Sequence, residues 1–228
     1  MTSKRIRLAI VAAAIAAVGG MAGALGATGV GSSSNGYSYM YRMMGSGYAY
    51  QPARSAPVST LAGARADAQK FADRLGLRVA EVLQFEDNFY AKLVNSKGDG
   101  ATEVLVDPQS GLVSIEYGPA MMWNTRYGMG RAAAWMMGGY GIGTTGGSGT
   151  MSDATRVSMA EAHRLAQQWL DSNEAGVQVE AGGDAYPGYY TLETLKHGAI
   201  TGMISINASS GAIWPHWWHG AFIAEWEA

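Results

Sequence analysis

Two segments of the chain, 59–117 and 158–217, run through the same succession of apolar and polar positions. Each opens with helical spacing. Leu61, Ala64, Ala68, Phe71 and Leu75 advance by three or four residues, which stacks them on one helix face and leaves Arg65, Asp67, Lys70 and Arg74 on the other. Met159, Ala162, Leu165, Ala166, Trp169 and Leu170 form the matching stripe, and Ser158 with Glu161 supplies the reciprocal capping pair of a helix start. Behind each helix the pattern turns to short runs rich in valine, isoleucine and aromatic residues. These are VAEVLQF, FYAKLV, TEVLVD and LVSIEY, then VQVE, YYTLETL, ITGMISIN and AIWPHWW, each bounded by turn residues. Residues 95–100 and 196–198 have hairpin length, and 107–111 and 207–211 are Asp/Asn-x-x-x-Gly turns.

Matching positions lie close to 100 residues apart: Phe89-Tyr90 answers to Tyr189-Tyr190, Gly98 to Gly198, Gly111 to Gly211 and Val113 to Ile213. The expected fold is α+β, two repeats of an amphipathic helix packed on a small antiparallel β-meander, preceded by an N-terminal apolar helix. A meander needs only one face covered, and one helix suffices for three or four strands. The expected organisation is a signal peptide or signal-anchor helix at 1–30, a Gly/Tyr/Met-rich linker at 31–57, unit 1 at 58–118, a Met/Trp/Gly-rich connector at 119–157 and unit 2 at 158–228.

The run from Ala62 to Leu75, then Phe89-Tyr-Ala-Lys-Leu93, then Glu103 through Asp107 to Gly111-Leu-Val113, resembles a PepSY-type unit. Ser158 to Leu170, Tyr189-Tyr-Thr-Leu192 and Met203 through Asn207 to Ile213 resemble a second. The PepSY family is a small α+β module of thermolysin-type propeptides and of exported or membrane-anchored bacterial proteins. The resemblance implies binding or modulation, of a protease or another envelope partner, and contributes no catalytic residue. A peptidase domain is lacking, so a propeptide role in the literal sense does not follow.

The ends alter the picture of location. Lys4, Arg5 and Arg7 precede an uncharged run from Leu8 to Gly36, with Ala22-Gly23-Ala24 as a small-x-small cleavage site. That is an export signal, either cleaved or retained as an anchor through residues 6–30. The rest of the chain is therefore expected outside the cytoplasm, membrane-anchored or secreted. With a formal charge of -2 and 15% charged residues, no basic field exists to draw nucleic acid. The absence of cysteine removes disulfides, thiolate metal sites and a cysteine nucleophile together. Glycine, at 32 of 228 residues, gathers at 19–47 and 128–149 and marks the joints.

Candidate chemistry is sparse. No H-E-x-x-H occurs among His163, His197, His216 and His219, no Ser/His/Asp set stands out, and Gly128-x-Gly130 lacks the strand–turn–helix context of a dinucleotide site. His216-Trp-Trp-His219 follows Pro215. On a strand the two imidazoles would point to opposite faces, so they can share a metal only if the chain turns after Pro215. Met121, Met122, Met129, Met136 and Met137 offer soft thioethers of the kind that select Cu(I). Adjacent side chains diverge, however, and methionine is also an adaptable apolar filler. Trp214, Trp217, Trp218, Phe222 and Trp226 form an aromatic C-terminus suited to partner binding. Three functions remain open: a non-enzymatic extracytoplasmic binding protein that modulates an envelope partner, a protein that handles Cu(I) or another metal through Met and His, and a structural envelope protein.

Overall fold

The computed structural model describes residues 48–52, 57–129 and 155–228. The apolar helix expected within residues 1–30, with its anchor or signal role, lies outside the described residues, as do Met136 and Met137 of the connector. Among the described residues no helix is long and apolar enough to cross a membrane.

Helix α1 (Leu61–Asp73) begins where Thr60 Oγ1 accepts the Gly63 amide at 3.1 Å, which satisfies one of the unpaired donors of the first turn. It buries Ala64, Ala68 and Phe71, the stripe read from the spacing. Four strands follow: β2 (Arg78–Phe85), β3 (Phe89–Val94), β4 (Gly100–Val106) and β5 (Val113–Ile115). A short strand β1 (Ala49–Tyr50) precedes α1, and one turn of helix, α2 (Pro119–Met122), follows β5. The second half holds α3 (Met159–Asn173), β6 (Val177–Val179), β7 (Asp184–Tyr186), β8 (Tyr189–Lys196), β9 (Ala199–Asn207), β10 (Ile213–Pro215) and β11 (Phe222–Glu227). Ser158 Oγ caps α3 by accepting the Glu161 amide at 3.2 Å. The Glu161 carboxylate pairs with Arg164 at 2.7 Å, so only one arm of the expected reciprocal cap is seen.

The expectation of a helix on a small meander, written twice, is corrected. The described residues are mostly β, forming two antiparallel sheets of six and five strands. The first sheet has the order β1-β5-β4-β3-β2-β11, so the last strand of the chain crosses to its edge, and β7 adds to the second sheet by pairing with β8. The physical reason is burial on both faces. Phe89, Ala91, Leu93, Val104, Val106, Val113 and Ile115 pack in one core with α1, while Tyr90 and Leu105 on the opposite face pack in another with Met203 of the second sheet. In the second sheet Leu192, Ile204 and Ile206 lie in the core that includes Ala162 and Ala166 of α3. The helices thus cover the outer faces, and the inner faces meet each other.

The turns are built as their residues dictate. Asp107 Oδ1 accepts the amides of Gln109 and Ser110, and Asn207 Oδ1 accepts those of Ser209 and Ser210. Both turns close on a left-handed glycine, Gly111 at φ 70° and Gly211 at φ 73°. The β8–β9 loop is His197-Gly198, both with positive φ, as a tight two-residue hairpin requires.

Gly188 joins the halves. At φ 97° its backbone lies where only glycine rests without strain, and a Cβ would sit 2.3 Å from the Trp123 carbonyl oxygen. Gly188→Ala should therefore lower unfolding stability by roughly 2 kcal/mol or more. Urea unfolding checks this, and a change under about 0.5 kcal/mol would show that the contact yields freely.

Candidate metal centre

The inner faces carry charge. Glu227 lies opposite Glu81, Glu81 opposite Lys92, and Lys92 opposite Glu103 across adjacent strands. The Glu116 amide then bonds the Glu103 carbonyl, which continues the row onto the end of β5. Four glutamates and one lysine thus cross one sheet face in a line. Glu103 and Glu116 are both fully buried. Like charges on neighbouring strands destabilise a sheet unless something compensates them.

Compensation for Glu116 comes from the second half. Beyond β10 the chain turns through Trp217 and Trp218, which meets the geometric condition under which His216 and His219 can face each other. His216 Nδ1 and His219 Nε2 each lie 3.2 Å from Glu116 Oε1 and 3.4 Å from one another. Two ligands about 2.1 Å from a shared ion at a tetrahedral angle are about 3.4 Å apart. The triangle of donors therefore has the dimensions that a four-coordinate ion imposes.

The remaining ring nitrogens are anchored. His219 Nδ1 meets Asn88 Oδ1 at 2.8 Å, and Asn88 donates its own amide to the Trp218 carbonyl at 2.8 Å. That orients the Asn88 oxygen toward the imidazole, assigns the proton to Nδ1 and leaves the lone pair of Nε2 aimed at the triangle. His216 Nε2 meets Ser205 Oγ at 2.8 Å, and Ser205 in turn meets Thr191 Oγ1 at 2.9 Å. Partners of this kind fix ring orientation in metal sites. His219 stacks on Phe85 at 4.4 Å and His216 on Trp218 at 4.7 Å. Trp218 also donates its indole N–H to Glu116 Oε1 at 3.1 Å, while Glu116 Oε2, equally buried, has no hydrogen-bond partner.

Packing of the two indoles depends on Gly118, at φ 86°. A Cβ there would stand 3.0 Å from Trp218 and 3.2 Å from Trp214.

Burial opposes ionisation of Glu116, but the charge and hydrogen bonds of His216 and His219 overcome it and hold the carboxyl down to about 2. Burial pushes His219 below the ordinary imidazole range, against the pull of Glu116. Burial, with Glu116 beside it, holds Glu103 well above the carboxylate range, although the Tyr90 and Tyr189 hydroxyls both donate to it at 2.7 Å. Two adjacent buried carboxyls are thus driven apart, Glu116 downward and Glu103 upward. Neutral His219 and ionised Glu116 are the states in which metals are ligated.

The sequence-derived candidates fall into three groups. His216 and His219 come together as donors. Trp218, Trp214 and Phe222 pack against the apolar cluster around the site rather than forming an open patch, and Trp226 lies under the Arg65 guanidinium at 4.0 Å. Trp217, 73% exposed, is the aromatic residue of that set that projects into solvent. Met121 is buried in the α1 core, whereas Met122 and Met129 are exposed, so the adjacent pair points two ways. Glu116 was missed in the sequence because its run reads as an ordinary strand. One signal was available: it stands 100 residues before His216, at the same place after the matching strand.

No family model matches the chain, and no curated protein or solved structure is significantly similar to it.

The far end of the charged row generates a pH dependence. Burial, reinforced by Asp184, Glu225 and Glu227 against the opposing pull of Lys92, raises Glu81 to about 8. Burial, then Glu81 and Glu180, raises Glu193 to about 9. Groups that bind protons more tightly when folded favour folding below the ordinary carboxylate range and lose that contribution as pH rises through their folded values. Stability to urea should therefore decline between about pH 5 and pH 9. Glu81→Gln and Glu193→Gln, which imitate the protonated acids, should each flatten the decline. A wild-type urea midpoint that stays level across that range would contradict the assignment.

Proposed function

We propose that this protein is a non-enzymatic metal-binding protein of the cell envelope, holding a first-row transition-metal ion through Glu116 Oε1, His216 Nδ1 and His219 Nε2. The observation that carries the reading is the triangle of three buried donors, with edges of 3.2, 3.2 and 3.4 Å and both imidazoles anchored from behind. The envelope location draws its support from the basic residues Lys4, Arg5 and Arg7 ahead of a long uncharged run.

A purely structural account of the cluster shares the His216 Nδ1 proton between Glu116 and His219. An ion at the centre accepts the Nε2 lone pair of His219 and the Glu116 charge together. It displaces the shared proton, so binding tightens as pH rises. It also ties β5 of one sheet to the turn after β10 of the other.

A second reading is favoured by a separate observation. Trp217 and Ile223, 73% and 42% exposed, present apolar surface at the end of the chain. They suit the partner docking that a tandem PepSY-like protein would perform.

Equilibrium dialysis of the exported part with Zn(II) and Cu(I), followed by elemental analysis, should return one ion per chain and a raised Tm. His216→Ala, His219→Ala and Glu116→Gln should each weaken binding about 100-fold or more, or ~2.8 kcal/mol. Asn88→Ala, which removes only the anchor of His219, should weaken it by about 10–100-fold. Substoichiometric metal that the His216→Ala variant retains unchanged would refute the site.

A further inference from the structure

Three donors leave one corner of a four-coordinate ion open, and the surroundings restrict what can fill it. The polar side chains nearby are engaged elsewhere. Asn88 is held by His219 and the Trp218 carbonyl, Ser205 by His216 and Thr191, and the Tyr90 hydroxyl by Glu103 and Tyr186. Phe85 and Trp218 stack on the two imidazoles, and Leu105 packs in the same apolar cluster.

Met203 is different. Its carbonyl accepts the His216 amide at 2.9 Å, so the two residues stand side by side on β9 and the end of β10. The β9–β10 register places Ile204 opposite Pro215 on the α3 face, which turns Met203 and His216 to the inner face together. Met203 is 6% exposed and packs in the same cluster as Trp218 and Phe85, which stack on the two imidazoles, and Tyr90, which meets His219 edge-on. It also lines a groove of about 250 Å³, together with His216, Trp217 and Gly220 of the metal-bearing turn and Trp169 of α3. A thioether therefore lies beside His216, on the groove that His216 also lines.

We propose that Met203 supplies the fourth ligand through its thioether and makes the site selective for a soft monovalent ion, Cu(I), which arrives through the groove beside Trp217. This rests on the metal-binding reading above. Thioether sulfur favours Cu(I) over the borderline Zn(II). The selective methionine thus lies outside the connector, on the β-type run ITGMISIN.

The test measures Cu(I) and Zn(II) affinities by chelator competition under anaerobic reducing conditions, with Ag(I) as a redox-inert substitute. Met203→Leu conserves volume and should fold with an unchanged circular dichroism spectrum. It should lower Cu(I) and Ag(I) affinity at least tenfold and leave Zn(II) affinity within about twofold. X-ray absorption of the wild-type Cu(I) form should show one sulfur bound to copper, absent from the variant. Unchanged Cu(I) affinity in Met203→Leu, with His216→Ala abolishing it, would overturn the role of Met203 and leave the three-donor site standing. Wild-type protein that takes up neither Cu(I) nor Zn(II) would overturn both.

Discussion

The structure depends on a polar layer buried between two sheets. Hydrophobic burial explains the outer layers, where α1 and α3 each cover an apolar sheet face, but the inner faces meet across Glu81, Lys92, Glu103, Glu116, Thr191, Ser205 and His216. Charge removed from water must be paired or neutralised. Each member meets that demand differently: Lys92 pairs with Asp184, Glu103 accepts two tyrosine hydroxyls, and Glu116 is ionised against two imidazoles. The topology follows from the same demand. β11 returns to the first sheet immediately after His219, so the turn that carries the imidazoles is tethered at both ends, by β10 in one sheet and β11 in the other.

Much of the outer architecture was legible in the sequence. Thr60 and Ser158 cap the helices that the three-and-four spacing implied, and the Asp107 and Asn207 turns close as their residues require. The inner face was not legible, for a physical reason. The period of two, which sets Phe89, Ala91 and Leu93 on one face and Tyr90 and Lys92 on the other, tells which residues share a face but not whether the face with the polar members meets water or a second sheet. Assuming water produced the small one-sided meander, whereas the chain builds two larger sheets pressed together. β1 and β7 were beyond reach because two or three residues carry no period, and β11 was absorbed into a run read as an aromatic patch.

The candidate site was half visible. His216 and His219 were identified, with the correct condition that the chain must turn between them, because that condition is local. Glu116 and Met203 are separated from them by chain or by strand pairing and are recovered only through register. The β4–β5 and β9–β10 hairpins pair identically, Val104 with Ile115 and Ile204 with Pro215, which places Glu116 and His216 at equivalent points. One half contributes the anion and the other the imidazole at the same position of the same hairpin.

That equivalence explains why the aromatic residues crowd the C-terminus. An imidazole in a dry layer must be held flat, screened from water and prevented from pairing elsewhere. Phe85 and Trp218 do the first by stacking, while Trp214 and Tyr117 pack around Trp218 and close the layer. Gly118 leaves the space that two indoles need beside Glu116. Indole at Trp218 performs two tasks that phenylalanine could not combine, stacking on His216 while donating to Glu116 Oε1. What resembles a sticky surface in sequence is therefore, except at Trp217 and Trp226, the apolar wall that gives a carboxylate and two imidazoles a low-dielectric setting, in which a bound cation is attracted more strongly than in water.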